Sequence, residues 1–526
     1  MTKYIFVTGG VISGLGKGVI SASIGAILQM LGEKKITIKK LDPYLNVDAG
    51  TMNPMEHGEV FVTNDGTETD LDLGYYERFL NIIMTEKNST SSGKLFQKLL
   101  TNERNGSYLG KTIQMIPHFT NMIKEFICDD SSNYDYIICE IGGSVGDIEA
   151  MAFYEALRQL KSELGNTNIL YLHLTYLIYL SLTKEIKTKP TQNTIKDLQQ
   201  FGITPDILIC RSEVKIPQSI KEKLSLYTNV PSSNIIEVMD LSSIYQVPIN
   251  LIKQNIHIIL KQKFNIHPPL KINKWKSLNE RIESLQKSIT IGILGKYTEL
   301  NDSYKSLLEA IFHAGIYHNH KINIHWINSR DDKVKLIDTL NGIIIPGGFG
   351  LTGIETMISL IHLIRTKKIP TFGICLGMQL MIIEYCRNVL HLNAGSEEFD
   401  NQKIKVIKKI KEIKNYGGSM RLGKSKIKII KMKNSKLFNI YNSETIYERH
   451  RHRYTVNNDY LNLLNQYHFQ IVASSYETNF IETVELNNDL HDWYIGCQYH
   501  PEYQSSPFKP HPLFLSFIQY SIFNKK

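Results

Sequence analysis

The chain has little cysteine and lacks the marks of a secreted or membrane protein. Its 526 residues contain six Cys, without the paired spacing of a disulfide framework. The first residues lead at once into an apolar strand and lack the long apolar stretch of a signal peptide. The apolar run 169–182 is interrupted by His173 and is too short to span a bilayer. These absences predict a cytoplasmic protein in a reducing compartment, with no membrane partner.

The charge of the chain is also not concentrated anywhere. Lys and Arg exceed Asp and Glu by 60 to 51, which gives a net charge of +9, but no basic tail or one-sided helical stripe is present. We therefore expect no nucleic-acid partner, whereas small phosphate-bearing ligands suit a modest positive excess. Hydrophobic residues make up 42% and charged residues 21%, as in ordinary globular proteins, and the length predicts two or three domains.

Short apolar runs typical of strands alternate with segments whose apolar residues have helical spacing, in both halves of the chain. In the first half, these strand-like runs are 4–8, 36–41, 136–141, 169–174 and 206–210, and in the second half they are 291–294, 322–326, 342–345 and 370–375. Such alternation predicts parallel α/β sheets. We predict two doubly wound, mostly parallel-sheet domains over 1–264 and 289–526, joined by a linker with one helix over 265–288, which contains adjacent prolines.

The most informative residue is Cys375, which stands between an apolar strand and a helix. Gly373 and Gly377 on either side allow a sharp turn that presents the sulfur to a cleft. A thiol becomes a nucleophile when a neighbouring imidazole lowers its pKa, and that imidazole needs a carboxylate to orient it. His500 and Glu502, in the string Gln-Tyr-His-Pro-Glu, supply both groups. A buried core Cys with an unrelated His-Pro turn is the simpler alternative.

These residues, with the glycine turn 346–350, resemble a class I glutamine amidotransferase. The resemblance implies that Cys375 attacks the side-chain amide of glutamine, that His500 transfers the proton and that Glu502 orients His500. Backbone N–H groups of the glycine turn can face the developing oxyanion. The implied glutamine-binding residues are Gly348, Leu376, Gly377, Met378, Gln379, Glu398 and Arg453. Since such a domain rarely acts alone, the other half is expected to hold the acceptor of ammonia.

A glycine-rich loop over 9–18 follows the first strand and precedes a helix. Its backbone N–H groups and Lys17 are suited to phosphate oxygens, although a tight strand–helix turn is the plainer alternative. Gly18 stands where a P-loop has the Ser or Thr that binds Mg²⁺, so the metal needs other oxygen ligands. Asp72, expected in a polar loop, and Glu140, at the end of an apolar strand, are the candidates for Mg²⁺.

Taken over the whole length, the motifs resemble the CTP synthase family. The strings that carry the resemblance are 4–10 (YIFVTGG), 40–44 (KLDPY), 57–62 (HGEVFV), 70–74 (DLDLG), 76–79 (YERF), 140–143 (EIGG), 146–149 (GDIE), 187–192 (KTKPTQ) and 448–453 (ERHRHR). The family's reaction uses ATP to phosphorylate O4 of UTP, after which ammonia displaces the phosphate and CTP forms. Pro54, His57 and Val60 match positions that line or gate the passage for ammonia.

The resemblance assigns further residues to the nucleotides. For ATP they are Gly14, Leu15, Gly16, Lys17, Gly18, Val19, Lys40, Asp72, Arg211, Met239, Asp240 and Leu241. For UTP, and for the competing product CTP, they are Ser13, Asp147, Ile148, Glu149, Lys187, Thr188, Lys189, Pro190, Thr191, Gln192 and Lys223. Asp72 and Glu140 would hold Mg²⁺.

The resemblance also implies a homotetramer, inhibition by CTP and GTP as an allosteric activator. Leu109 and Gly110 match positions associated with GTP, but between Phe399 and Gly417 this chain has only a short Lys-rich stretch where the family carries a longer lid. Two alternatives stay open on the residues alone. One is a filament-forming scaffold with degenerate sites, and the other is a different P-loop amidoligase, such as a cobyrinate-type amidase.

Overall fold

The computed structural model describes residues 1–328, 334–399, 404–410, 420–431 and 435–524. The chain divides into two compact units. The first unit contains Met1–Thr51 and Asp72–Ile282, and the second contains Met52–Leu71 and Glu283–Lys526. The short segment Met52–Leu71 therefore packs with the second half of the chain, although it lies early in the sequence.

A seven-stranded sheet in which every neighbouring pair is parallel forms the centre of the first unit. In spatial order its strands are Ile235–Val238, Ile207–Arg211, Ile169–Tyr176, Lys3–Gly9, Tyr136–Ile141, Ile36–Asp42 and Ser89–Ser91. A separate hairpin pairs Ile178–Leu180 with Glu185–Lys187. The central strands are continuous apolar runs because helices cover both faces of a parallel sheet. The predicted parallel α/β fold is confirmed in this unit.

The helices of the first unit include one in the predicted linker. They are Lys17–Met30, Asp72–Leu80, Ser92–Arg104, Thr120–Cys128, Met151–Leu164, Lys189–Gln200, Gln218–Thr228, Val247–Lys253, Ile256–Phe264 and Asn273–Glu283. The last of these buries Trp275, whose ring centroid lies 5.5 Å from that of Phe79. Just before it, the N–H of Lys271 donates to the carbonyl of Met30 at 2.8 Å. The stretch 265–282 is thus packed against the first unit.

The second unit contains a nine-stranded mixed sheet. The parallel side consists of His320–Asn328, Lys287–Gly295, Gly342–Ile345, Thr371–Ile374 and Tyr494–Cys497. The antiparallel side continues with Ile481–Leu486, Phe469–Ser475, Arg421–Ile429 and Thr445–His452. The sequence predicted the first four parallel strands, whereas the strand Tyr494–Cys497 and the antiparallel extension were not indicated by the strand–helix pattern.

Shorter elements complete the second unit. Its helices are Pro54–His57, Lys305–Tyr317, Ile354–Thr366, Leu376–Asn388, Lys436–Tyr441, Leu461–Gln466 and Pro512–Phe523. A hairpin pairs Phe61–Val62 with Glu68–Thr69, and a three-stranded sheet contains Ala394–Ser396, Ile404–Lys409 and Tyr454–Val456. The shortened lid predicted between 399 and 417 lies largely outside the described residues. In the described parts of the chain, no helix is both long and apolar enough to cross a membrane.

The glycines around Cys375 allow the strand Thr371–Ile374 and the helix Leu376–Asn388 to pack closely. A Cβ added at Gly377 would lie 1.9 Å from the carbonyl oxygen of Ile345, and one at Gly373 would lie 2.2 Å from the sulfur of Met381. Both distances are well inside van der Waals contact, and one of the atoms is backbone. The two glycines are therefore required by helix–sheet packing, in addition to the turn predicted from the sequence.

This packing makes a stability prediction for Gly377→Ala. The added methyl group must displace the strand that carries Ile345, so we expect a loss of about 1–3 kcal/mol or more in unfolding free energy. Thermal or urea unfolding of the purified protein measures the effect. Ser359→Ala, at an exposed position of the helix Ile354–Thr366, is the control and should be close to neutral. Equal stability of the two variants would contradict the close packing.

Candidate active sites

The backbone at Cys375 is strained in the manner expected of a residue on a tight strand–helix turn. Its φ is 54° and its ψ is −104°, between the strand Thr371–Ile374 and the helix that begins at Leu376. A non-glycine residue holds such a conformation only when its surroundings enforce it. Here the Cys375 N–H donates to the carbonyl of Cys497 at 2.7 Å, while Gly377 is pressed against Ile345.

The thiol of Cys375 lies among polar groups although the residue is only 5% exposed. Its Sγ is 3.7 Å from the carbonyl oxygen of Arg451 and 3.6 Å from Nε2 of Gln498. Gln498 is held in turn by Gln379, whose Nε2 donates to Oε1 of Gln498 at 3.0 Å. Arg451 and Gln498 had no role in the sequence prediction, because nothing in their spacing indicated a contact with the sulfur.

His500 and Glu502 form the predicted pair. Nδ1 of His500 is 2.7 Å from Oε1 of Glu502, and the ring of Tyr503 stacks on the imidazole at 5.2 Å between centroids. Burial by itself lowers the pKa of His500, but the carboxylate of Glu502 and the neighbouring Cys375 raise it to about 10. A pKa in this range keeps the imidazole protonated at neutral pH.

A small cavity of about 60 Å³ opens on this pair. Its lining includes Cys375, His500, Glu502, Pro346, Gly347, Gly348, Phe349, Tyr297, Tyr304, Arg451 and Tyr503, together with Pro54, Glu59 and Val60 from the early segment. A Cβ added at Gly347 would lie 2.9 Å from Cε1 of His500 and 3.6 Å from Cβ of Cys375. The glycine turn thus lies directly against Cys375 and His500.

Two charged residues predicted to hold glutamine flank the same turn. Oε1 of Glu398 accepts the N–H of Gly350 at 3.3 Å, and Cζ of Arg453 lies 5.7 Å from the ring centroid of Phe349. Burial raises the pKa of Glu398. Lys296, which the sequence prediction missed, donates to the carbonyl of Gly350, and burial lowers its pKa to about 8 against the opposing effect of Glu398. An acid and a guanidinium are therefore available for the two ends of an amino acid.

The remaining residues predicted to bind glutamine differ in their placement. Cδ2 of Leu376 approaches the position of a Cβ on Gly348 at 3.5 Å, beside the cavity. The side chain of Met378 is fully buried and packs against Gly496, so it belongs to the core. Gln379 is also buried. Its side chain donates a hydrogen bond to Gln498 and does not line the cavity.

In the first unit, residues predicted to bind ATP line one cavity of about 290 Å³. Those residues are Leu15, Gly16, Val19, Arg211, Met239, Asp240 and Leu241. Arg211 donates to Asp240 at 2.8 Å and to the carbonyls of Gly14 and Leu15 at 3.4 and 3.3 Å. The structure thus joins the glycine loop to a region more than 190 residues away, in a cavity large enough for an adenine ring.

The backbone of the glycine loop adopts conformations that favour glycine at two positions. Gly14 and Gly16 have φ values of 70° and 94°, which glycine adopts readily. A Cβ added at either position would have no protein atom within 4 Å, so the space beside both glycines is open. Val11, a β-branched residue, has a φ of 79°, which is strained. Lys17 begins the helix Lys17–Met30 and donates to the carbonyl of Gly143 at 2.7 Å. Burial and the neighbouring Lys40 lower the pKa of Lys17.

The two predicted metal ligands lie on either side of Lys40. Its Nζ donates to Asp72 and, at 2.8 Å, to Oε1 of Glu140. Burial and the nearby Asp72 raise the pKa of Glu140. Asp72 is the first residue of the helix Asp72–Leu80, not a loop residue as predicted. Tyr76, on the same helix, donates its hydroxyl to Glu140 and was not predicted.

The carboxylates of Asp72 and Glu140 suit a magnesium ion that would also be bound by phosphate groups. A Cβ at Gly18 would lie 1.9 Å from Oδ1 of Asp72, so the carboxylate occupies the space where a P-loop has its Ser or Thr. Two crowded carboxylates favour a divalent cation. Over the described residues, no group of three or more His, Cys, Asp or Glu side chains has metal-binding geometry. The other ligands would therefore be phosphate oxygens and water.

The residues predicted to bind UTP are less closely gathered. Oδ2 of Asp147 accepts the N–H of Ser144 at 2.7 Å, in the loop that also contacts Lys17 through Gly143. Thr188, Thr191 and Gln192 are buried at the start of the helix Lys189–Gln200, Pro190 is half-buried, and Lys187 pairs with Glu185. The exposed members are Ser13, Asp147, Ile148, Glu149, Lys189 and Lys223. An open arrangement of this kind leaves room for a partner surface.

Comparison with known proteins assigns each half of the chain to a family. The family described as glutamine amidotransferase class-I matches residues 299–520, which include Cys375, His500 and Glu502. The second unit thus carries a class I glutamine amidotransferase, in one chain with a parallel α/β unit. The family described as CTP synthase N-terminus matches residues 3–266. The chain belongs to the CTP synthase family, whose members are glutamine-dependent ligases.

Relatives similar over their full length support this assignment. The CTP synthase of Hydrogenobaculum sp. (strain Y04AAS1) is 50% identical over 531 residues, which covers 100% of this chain and 98% of the relative. The CTP synthase of Aquifex aeolicus (strain VF5) is 47% identical over 526 residues, covering 99% and 98%. A solved glutaminase domain of Trypanosoma brucei CTPS with bound acivicin is 32% identical, with a TM-score of 0.42, and covers 45% of this chain and 95% of that domain.

The raised pKa of His500 makes a prediction for Glu502→Gln. Loss of the carboxylate removes a main cause of that shift, so His500 should lose its proton at lower pH. The alkaline limb of the glutamine hydrolysis rate should then move toward neutrality by about one pH unit or more. Rates measured from pH 6 to beyond pH 10 test this, since the unaltered pKa is about 10. Glu477→Gln, an exposed acid of the same unit, should leave the limb in place.

The position of Asp72 makes a prediction for Gly18→Ser. By motif alone, this change restores the P-loop hydroxyl and should be harmless or beneficial. By structure, the new Cβ collides with the Asp72 carboxylate, so we expect loss of ATP binding in titration calorimetry. Labelling of Cys375 by a chloroketone analogue of glutamine should persist and shows that the variant is folded. Normal ATP binding by the variant would refute the assigned position of Asp72.

Proposed function

We propose that the protein makes CTP from UTP, with ATP as the phosphoryl donor and glutamine as the source of nitrogen. The activity belongs to pyrimidine nucleotide biosynthesis. One observation carries the proposal. This chain matches a CTP synthase over nearly the whole length of both proteins, and it has both a Cys–His–Glu group and a buried Lys–carboxylate cluster beside a glycine loop. Each site is suited to one half of the overall reaction.

In the glutaminase half, Cys375 attacks the side-chain amide carbon of glutamine as a thiolate. His500 gives its proton to the amide nitrogen, which leaves as neutral ammonia, and a glutamyl thioester forms. The neutral imidazole then takes a proton from water, which attacks the thioester and releases glutamate. Glu502 keeps the imidazole in position throughout, and the glycine turn at Gly347 donates N–H groups to the oxyanion.

In the synthetase half, the residues act by position and charge. The glycine loop and Lys17 bind the phosphates of ATP, while Lys40 offsets charge on the phosphoryl group that moves to O4 of UTP. Asp72 and Glu140 would hold Mg²⁺, which would supply positive charge to offset the negative charge that develops during transfer. Ammonia then attacks C4 of the 4-phosphorylated UTP, phosphate leaves and CTP results.

Ammonia has to reach that intermediate in its neutral form, because ammonium lacks the nucleophilic lone pair. Transfer inside the protein rather than through solvent is therefore part of the proposal. Pro54 and Val60 line the glutaminase cavity beside Cys375 and His500, which supports their predicted role at the start of the passage.

Assembly and regulation extend the proposal. A homotetramer with UTP sites at subunit contacts is supported by exposed large apolar residues of the first unit, among them Leu109, Met115, Ile116, Ile148 and Met151. CTP would inhibit by competing at the UTP site. GTP as an activator is part of the family pattern and is tested by adding GTP to the assay below. The six cysteines are all free, which supports the predicted cytoplasmic location.

Cys375→Ala and Lys17→Ala separate the two halves of the reaction. Cys375→Ala should abolish CTP formation from glutamine and retain it from ammonium, because only the first route needs the thiol. Lys17→Ala should abolish both, because both need ATP. The measurement is the absorbance change as UTP becomes CTP, with each nitrogen source and with or without GTP. If Cys375→Ala also removed the ammonium-dependent activity, the proposed division of labour would be wrong.

A further inference from the structure

The segment Met52–Leu71 is built into the glutaminase unit. Ser303 Oγ donates to the carbonyl of Pro54 at 2.8 Å, and the N–H of Ser306 donates to Oε2 of Glu59 at 2.9 Å. The N–H of Glu59 also donates to the carbonyl of Asp302 at 2.8 Å. The segment comes from residues that match the CTP synthase N-terminus, yet its contacts are those of an internal part of the second unit.

Two arginines of the strand Thr445–His452 hold the hairpin of this segment. Nε of Arg449 donates to Oδ1 of Asn64 at 2.6 Å, and its Nη1 donates to the carbonyl of Val62 at 3.1 Å. Nε of Arg451 donates to Oε1 of Glu68 at 2.7 Å, with side chains only 12% and 5% exposed. A buried charge pair of this kind is costly to break, since the charge that remains is left poorly compensated.

Arg451 connects Glu68 to the nucleophile and to the oxyanion turn. Its carbonyl oxygen is 3.7 Å from Sγ of Cys375, and its Cζ lies 5.0 Å from the ring centroid of Phe349, the residue after Gly348. A shift of Arg451 would therefore change both the wall behind the sulfur and the turn that faces the oxyanion.

The same segment also contacts Tyr503, which stacks on His500, the proposed base. The hydroxyl of Tyr503 donates to the carbonyl of Val60 at 3.1 Å, and the ring of Tyr503 stacks on the imidazole of His500. Phe61 packs edge-on against Tyr503, with ring centroids 5.2 Å apart. Both members of the catalytic pair are thus braced by residues between Val60 and Glu68.

We propose that Glu68 is a positioning residue for glutamine hydrolysis, which acts by holding Arg451 against Cys375 and Phe349. The inference deepens the proposed function and rests on it. It also makes the glutaminase site depend on a segment that leads, at its next residue, to Asp72 of the nucleotide site.

The test compares Glu68→Gln with Glu56→Gln in the full-length protein. Glu68→Gln keeps the shape of the side chain and removes the charge that pairs with Arg451. Glu56 is an exposed acid of the same segment, so its variant is the matched control. The readouts are kcat and KM with glutamine, kcat with ammonium, and the rate at which a chloroketone analogue of glutamine labels Cys375.

We expect Glu68→Gln to lower kcat with glutamine and the labelling rate by about 10- to 100-fold, as for a small misplacement of reacting groups. Ammonium-dependent CTP formation should be unchanged, and Glu56→Gln should behave as the unaltered protein. Unchanged labelling of Cys375 in Glu68→Gln would overturn the inference, and so would an equal loss with ammonium. Absence of CTP formation by the unaltered protein would instead refute the proposed function.

Glu68→Asp provides a second measurement should Glu68→Gln not fold. It keeps the charge but shortens the side chain, so labelling of Cys375 should fall by a smaller factor and kcat with ammonium should stay unchanged. Full labelling in the Asp variant would show that the contact between Glu68 and Arg451 does not position the thiol, and would overturn the inference.

Discussion

The close approach of Gly377 to the carbonyl of Ile345 is the constraint on which the glutaminase site depends. It presses the helix Leu376–Asn388 onto the sheet, and the chain can then leave the strand Thr371–Ile374 only through a strained turn at Cys375. The strain is maintained by packing on both sides of the turn rather than by the residue itself. Everything else in the site, from His500 to the glycine turn, is arranged around a sulfur that this packing holds in place.

Electrostatics sets a second constraint in the first unit. Lys40, Asp72 and Glu140 are crowded into a cluster in which one ammonium group pairs with two carboxylates. Removing Lys40 would leave the two carboxylates without this shared partner, which is costly. Asp72 and Glu140 repel each other, and the absence of a side chain at Gly18 leaves the space that the Asp72 carboxylate fills. The proposed binding of a metal ion and of phosphates rests on this arrangement.

Much of the fold and of both sites could be predicted from the sequence because the relevant signals are local. The strands 136–141 and 342–345 coincide with the structure, since a continuous apolar run has few alternatives between glycine or polar boundaries. Cys375, His500 and Glu502 were identifiable because a turn with small residues and a His-Pro-Glu string keep their chemistry within a few positions. The glycine loop with Lys17 was identifiable for the same reason.

Residue chemistry and short-range spacing thus determined which residues are candidates for the nucleophile, the base and the phosphate loop, and where most of the parallel strands lie. Only the tertiary structure decided that Gln498 and Arg451 contact the sulfur, that Met378 is core, and that the segment Met52–Leu71 belongs with the second unit. Such contacts join residues up to several hundred positions apart, as with Glu68 and Arg451. No local pattern encodes them, because they depend on which surfaces meet once the sheets and helices have packed.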